Sequence, residues 1–167
     1  FTELRRRSAE AALKKNEIQV RVTLKKIYDI LAKTAGISSG DAERLMQLEC
    51  SLIEKYTYPR EFGKTLFREA KNCKKRVVIS AESIYPADTI KNILESCGYG
   101  SYDGLIVVSE TDSCTGKTYF ELAVKKAGVP AGKLLHIGGD VAFDIELPLV
   151  SGAKALLMAP PYSLMAK

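Results

Sequence analysis

LLHIGGDVAFD, residues 134–144, begins as an apolar run, breaks at two glycines and then sets Asp140 and Asp144 four residues apart. A short apolar run closed by turn residues is the pattern of a strand covered on both faces, as in a parallel sheet. In an open α/β sheet ligands lie beyond the carboxyl ends of the strands. Two carboxylates at i and i+4 in the following turn can reach one site there, and oxygen-rich sites of this kind suit Mg²⁺, which keeps waters and substrate phosphates in its remaining positions. The alternative role for both acids is to cap the helix that follows.

The same pattern recurs on either side. RVVIS (76–80) and GLIVVSE (104–110) read as parallel strands, and AKALLMA (153–159) as a fourth. PADTIKNILESC (86–97), residues 117–127 and residues 141–151 read as the helices between them. Strands alternating with helices predict parallel pairing through right-handed crossovers. Before residue 75 the period changes. Leu24, Ile27, Tyr28, Ile30 and Leu31, then Leu45, Leu48, Leu52 and Ile53, repeat at helical spacing. Thr23 and Asp41 are candidate helix caps, and Gly36 and Pro59 mark boundaries. The chain is therefore expected to be α/β, with a helical cap over 1–62 and an α/β core over 63–167.

Composition narrows the function. Hydrophobic residues make up 46% of the 167, enough for a packed core, and no apolar run approaches the ~20 residues of a membrane helix. The net charge is +5, but the basic clusters Arg5-Arg6-Arg7, Lys14-Lys15, Lys25-Lys26 and Lys74-Lys75-Arg76 are interleaved with Glu and read as solvated helix faces. No nucleic-acid or membrane partner is expected. Cys50, Cys73, Cys97 and Cys114 form no CxxC pair and read as reduced thiols of a cytoplasmic protein, with Cys114 inert. His136 is the single histidine, so neither a zinc site nor a Ser-His-Asp triad is expected, and it reads as a satisfied core residue inside an apolar strand.

At the strand ends, Ser80 follows RVVI, Lys117 opens a helix after the second strand's polar loop, and Asp140 and Asp144 follow LLHIG. A hydroxyl and an ammonium hold phosphate oxygens as donor and charge. This ordered set resembles the haloacid dehalogenase (HAD) superfamily. VVIS resembles its second motif, Lys117 its third, and GGDVAFD its acidic fourth, with SGAKALL as the usual continuation. LRRRSAEAA (4–12), VTLKKIYDIL (22–31), YPREF (58–62) and VVISAESIYP (77–86) are similar to a subgroup found with bacterial glycosyltransferases, in which the helical half is a cap. The resemblance spans nearly the whole chain. It implies a HAD-like, Rossmann-like parallel core and Mg²⁺-dependent hydrolysis of a small phosphate ester, with a sugar phosphate as the substrate suggested by the subgroup. Asp140 and Asp144 would bind the metal directly or through water, Lys117 would neutralise nucleophile and phosphate, and Ser80 would donate to a phosphoryl oxygen.

One departure governs the reading. HAD enzymes carry a DxDxT loop after a first, central strand, whose first Asp is the nucleophile and whose second is the acid/base. No DxD occurs in these 167 residues, and no strand is expected before residue 75. The subgroup's Asp after the second-motif serine is Ala81 here. The first core strand is thus expected to be missing, its segment belonging to the native protein outside residues 1–167, and the chain alone is expected to be inactive. A pseudoenzyme, or SAES (80–83) standing in for DxDxT, are the alternatives. The gap is expected to be closed by its neighbouring strands or by a covalent or non-covalent partner segment. Two rival functions stand beside this one. A non-catalytic regulatory or interaction module of a larger glycosyltransferase-type protein would tolerate the missing nucleophile. A degenerate P-loop is suggested by TDSCTGKT (111–118), where Thr111 replaces the glycine of the phosphate cradle. Tyr56, Tyr58 and Tyr85 are candidates for a cap–core crevice or for packing between the halves.

Overall fold

A computed structural model describes residues 1–14, 22–107 and 116–159, with backbone alone at 116–119. The chain divides into two compact units, Phe1–Ser113 and Cys114–Lys167.

The first unit opens with four helices, α1 (Thr2–Lys14), α2 (Leu24–Ala35), α3 (Ser39–Tyr56) and α4 (Glu61–Asn72). α2 is central. Its Leu24, Ile27, Tyr28 and Leu31, at i, i+3, i+4 and i+7, are all buried, the period expected of an amphipathic helix. Leu24, Tyr28 and Leu31 gather Ile37, Leu45, Met46, Cys50, Ile84 and Tyr85 around them. α1 turns small residues inward, Ser8 and Ala12, which allow close approach to a neighbouring helix. Thr23 caps α2 by accepting from the Lys26 N–H at 3.3 Å, and Gly36 ends it at φ +66°. Asp41 does not cap α3 as expected. The helix starts two residues earlier, and Ser38 is the cap: its Oγ accepts the Asp41 N–H at 3.1 Å and donates to the Asp41 carboxylate at 2.7 Å. Both bonds run through the Ser38 hydroxyl, whereas the acid of a capping box accepts the cap residue's backbone N–H. Tyr56 and Tyr58 are exposed, and Tyr85 is half-buried.

A polar hub fastens these helices. Arg5 donates twice to Glu49, from Nε at 2.8 Å and from a terminal nitrogen at 2.7 Å. Tyr28 Oη donates to the same carboxylate at 2.6 Å and Tyr85 Oη at 3.2 Å. Arg5 also lies 5.6 Å over the Tyr28 ring. α1, α2, α3 and the loop after the first strand thereby meet on one carboxylate. Burial alone would raise the Glu49 pKa, but the bonds from Arg5 and Tyr28 outweigh it and hold the carboxyl below its ordinary value. Burial, then Glu49 itself, pushes both tyrosines up, so they stay protonated donors at neutral pH.

β1 (Val78–Ala81) and β2 (Gly104–Val107) form a parallel ladder, joined through α5 (Ala87–Ser96), with Ser80 opposite Ile106. Asp103 sets the start of the register. Its carboxylate accepts the Val77 N–H at 2.8 Å and the Lys71 ammonium at 3.1 Å, while its own N–H donates to the Val77 carbonyl at 2.8 Å. The loop beyond β1 is tied to α2, since the Leu24 N–H donates to the Ile84 carbonyl at 2.8 Å.

The second unit contains α6 (Gly116–Ala127), β3 (Leu135–Gly138), α7 (Leu147–Val150) and β4 (Lys154–Leu157). β3 and β4 pair in parallel, with Ile137 opposite Leu156. α6 buries Phe120, Ala123 and Ala127 and ends at Gly128, φ +63°. Leu135, Ile137 and Leu156 share one face of the ladder and are exposed. The described strands therefore pair in parallel within each unit, β1 with β2 and β3 with β4, as expected of a parallel α/β protein. Between residues 1 and 74 every described regular element is helical, so the described residues there supply no strand. No helix among the described residues is long and apolar enough to cross a membrane, and Cys50, Cys73 and Cys97 are free thiols.

The hub makes stability pH-dependent. Because the folded-state pKa of Glu49 is depressed, its contribution is present above the ordinary Glu value and is lost as pH falls through the lower folded value. Glu49→Gln is expected to cost about 1–3 kcal/mol at pH 7, the scale of charge-assisted hydrogen bonds, and to flatten the acid limb of stability against pH. Urea titrations of both proteins between neutral and acid pH check this; parallel curves would mean that the carboxylate contributes nothing specific.

Candidate functional site

The residues after β3 form the most organised polar constellation of the second unit. The chain leaves β3 at Gly138, passes Asp140 in extended conformation (φ −100°, ψ 125°) and enters a wide π-helical turn over Val141–Glu146, in which the Leu147 N–H reaches back to the Ala142 carbonyl. Such turns often mark functional positions. Asp140 caps it, Oδ1 accepting the Phe143 N–H at 2.9 Å, and its carbonyl accepts the Asp144 N–H at 2.8 Å. Asp140 is exposed, and its second oxygen, Oδ2, has no hydrogen-bond partner among the described residues.

Asp144 differs. Its Oδ2 accepts the Asp140 N–H at 2.9 Å, and its Oδ1 lies 2.7 Å from His136 Nε2. Since a carboxylate only accepts, the imidazole donates through Nε2. His136 is half-buried in β3, with its ring edge-on to Phe120, centroids 6.1 Å apart. It is the satisfied strand histidine expected, though its partner was not foreseen. A Cβ built on Gly138 would come within 2.2 Å of the Asp144 carboxylate, so this glycine is required by close approach.

The other two expected residues lie elsewhere along the chain. Ser80 is the third residue of β1, half-buried, in the first unit. Lys117 is the second residue of α6, and its side chain lies outside the described residues. Of the four, Asp140 and Asp144 are thus brought together on one turn. Thr111–Thr115 of the P-loop-like stretch and Cys114 also lie outside the described residues. Glu82 is exposed. No group of three or more His, Cys, Asp or Glu side chains that could hold a metal occurs among the described residues. Glu49, unforeseen from sequence, is the other convergence of polar side chains. Its signal was faint, because the partners Arg5, Tyr28 and Tyr85 are far apart along the chain.

No family model and no curated protein matches the sequence. The fold has a solved counterpart in a haloacid dehalogenase-like family hydrolase from Xanthomonas campestris, with a TM-score of 0.59 at 18% identity over 89% of this chain. The match takes in 64% of that protein, so the chain spans less than two thirds of the counterpart's length. At this identity the likeness establishes a HAD-like α/β fold.

Asp140→Ala removes the cap of the turn and is expected to destabilise the chain by about 0.5–2 kcal/mol, whereas Asp140→Asn, which keeps an acceptor, is expected to cost less. Equilibrium urea unfolding compares the two; equal stability of Ala and Asn variants would show that the cap contributes nothing.

Proposed function

We propose that this chain is the larger part of a HAD-type, Mg²⁺-dependent phosphate-ester hydrolase whose aspartate nucleophile is supplied from outside residues 1–167. What supports this reading is one observation: a HAD-like fold in which a capped turn at the carboxyl end of a parallel strand carries Asp140 and Asp144. In this proposal Ser80 at the end of β1 and Lys117 at the start of α6 meet that turn around a bound phosphoryl group. Ser80 donates to a phosphoryl oxygen, and Lys117 offsets the negative charge of nucleophile and phosphate, an electrostatic role. A segment supplying the central strand would also satisfy the open edges of β1 and β3.

The residues present fit Mg²⁺ in part. Asp140 has an open oxygen and would hold the ion, and a single carboxylate with waters and substrate phosphate is an ordinary Mg²⁺ arrangement. The oxygens of Asp144 already accept two hydrogen bonds. When bound, the ion would supply charge neutralisation and orientation of the phosphate. The substrate belongs to the class of small phosphate monoesters, with a sugar phosphate favoured by the glycosyltransferase-associated sequence pattern, in the cytoplasm.

A second reading, a non-catalytic HAD-like module of a larger sugar-transferring protein, is favoured by the same hydrogen bonds, because both carboxylates already serve the turn.

The test is Mg²⁺-dependent hydrolysis of small phosphate monoesters. Residues 1–167 alone are expected to give none above buffer. The native protein containing them is expected to turn over, and Lys117→Ala in it to lower kcat/KM by roughly 100–1,000-fold. Turnover by residues 1–167 would place the nucleophile within them and overturn the supplied-segment reading. No turnover by the native protein would establish the non-catalytic module.

A further inference from the structure

We infer that Glu49 and Tyr85 are positioning residues, which together with the Leu24 amide bind the loop leaving β1 to the helices and so fix the place of Ser80. The part played by Ser80 rests on the hydrolase reading; the tie itself rests on the geometry of the first unit.

The acceptor capacity of Glu49 comes first. A carboxylate offers about four acceptor sites, and four donated bonds converge on this one. Its Oε1 accepts from an Arg5 terminal nitrogen at 2.7 Å and from Tyr85 Oη at 3.2 Å. Its Oε2 accepts from Arg5 Nε at 2.8 Å and from Tyr28 Oη at 2.6 Å. Each oxygen thus holds one arm of the arginine fork and one tyrosine, and neither is left to receive a ligand. The carboxylate serves position rather than chemistry.

The bonds differ in reach and length. Those from Arg5 and Tyr28 run from helix to helix and are 2.8 Å or shorter. The bond from Tyr85 is the longest of the set and reaches the loop. Hydrogen bonds weaken as they lengthen, so the loop is the partner released first when the carboxylate is disturbed.

The loop is tied at two successive residues. The described β1–β2 ladder ends at Ala81 opposite Val107, and α5 begins at Ala87. Between them the Ile84 carbonyl accepts the Leu24 N–H at 2.8 Å, and Tyr85 reaches Glu49. The Tyr85 N–H donates to Ser83 Oγ at 3.1 Å, which sets the loop's own bend. Leu24 is the first residue of α2, where an amide has no acceptor within its own helix. It is fully buried, so the loop carbonyl is what satisfies it. Ile84 and Tyr85 also pack on Leu24, Tyr28 and Leu31. Ile84 lies four residues beyond Ser80, a tether of at most ~14 Å, so a shift of the loop is passed to the end of the strand.

The experiment follows hydrogen exchange of two amides of the 167-residue chain by NMR. The Leu24 N–H is bonded to the loop, and the Ile27 N–H to the Thr23 carbonyl of its own helix start at 3.2 Å. Tyr85→Phe is expected to speed Leu24 exchange by roughly 2–10-fold, the worth of one ordinary hydrogen bond, and to leave Ile27 unchanged. Glu49→Gln is expected to speed Leu24 by a larger factor than Ile27. Equal acceleration of the two amides in either variant would mean a general loss of stability and overturn the inference, as would an unchanged Leu24 amide in Tyr85→Phe. In the native protein, Tyr85→Phe is expected to lower kcat/KM for small phosphate monoesters by a similar factor of roughly 2–10. In a Ser80→Ala background it is expected to cost nothing further, because the tie acts through Ser80. An equal further loss there would place the effect elsewhere and overturn the role at Ser80. If the native protein hydrolyses no phosphate ester, the hydrolase reading fails and Ser80's part with it, while the tie is decided by the two amides.

Discussion

A parallel strand buried in an α/β sheet has to satisfy backbone groups along two edges and cover side chains on two faces. Among the described residues β1 is laddered to β2 and β3 to β4. The face of the β3–β4 ladder that carries Leu135, Ile137 and Leu156 is exposed. Apolar side chains at alternate positions in a strand are ordinarily core residues, because each large one left in water forgoes about 1.5–3 kcal/mol of burial. The helical half buries one apolar stripe and exposes another, since Leu48 and Leu52 of α3 and Phe62 of α4 face water. Its α2 stripe is buried from Leu24 to Leu31, and its polar centre is saturated on Glu49. Exposed apolar side chains thus occur both on α3 and α4 and on the ladder that bears the acidic turn.

Periodicity made the elements legible. The 3.6-residue repeat in VTLKKIYDIL and the β-branched run in RVVIS both reflect burial, and burial governs which segments become helix or strand. Local capping chemistry was harder to read. Asp41 looked like a cap because it precedes an apolar repeat, but Ser38 three residues earlier also offers a hydroxyl. In the fold the two bond reciprocally, which starts the helix sooner. The π-helical turn at Val141–Glu146 had no sequence signal, since it arises where Asp140 caps one way and Asp144 is drawn back toward the strand.

The acidic pair illustrates the limit of spacing arguments. An i, i+4 separation says that two carboxylates lie close; it does not say what their oxygens face. Asp140 and Asp144 are close as expected, but one is a cap with an oxygen open and the other is enclosed by donors. The determinant is Gly138, whose missing Cβ makes room for the Asp144 carboxylate. From sequence, that glycine reads as a generic turn residue. Its specific use appears only when the turn brings residue 144 back onto the strand it left.

The long-range hub shows the same logic on a larger scale. LRRRSAEAA, VTLKKIYDIL and VVISAESIYP are separate stretches of the sequence, yet each contributes one partner of Glu49: Arg5, Tyr28 and Tyr85. A carboxylate at partial burial is unfavourable unless its lone pairs are occupied, and here four donated hydrogen bonds converge on it. Removing any one donor leaves charge less compensated in a partly desolvated place, so the four groups function as a unit. Tyr85 belongs to the loop that follows Ser80, and that loop is also tied to α2 through the Leu24 N–H. The helices thereby constrain the backbone at the carboxyl end of β1, the end of a parallel strand at which α/β proteins bind their ligands.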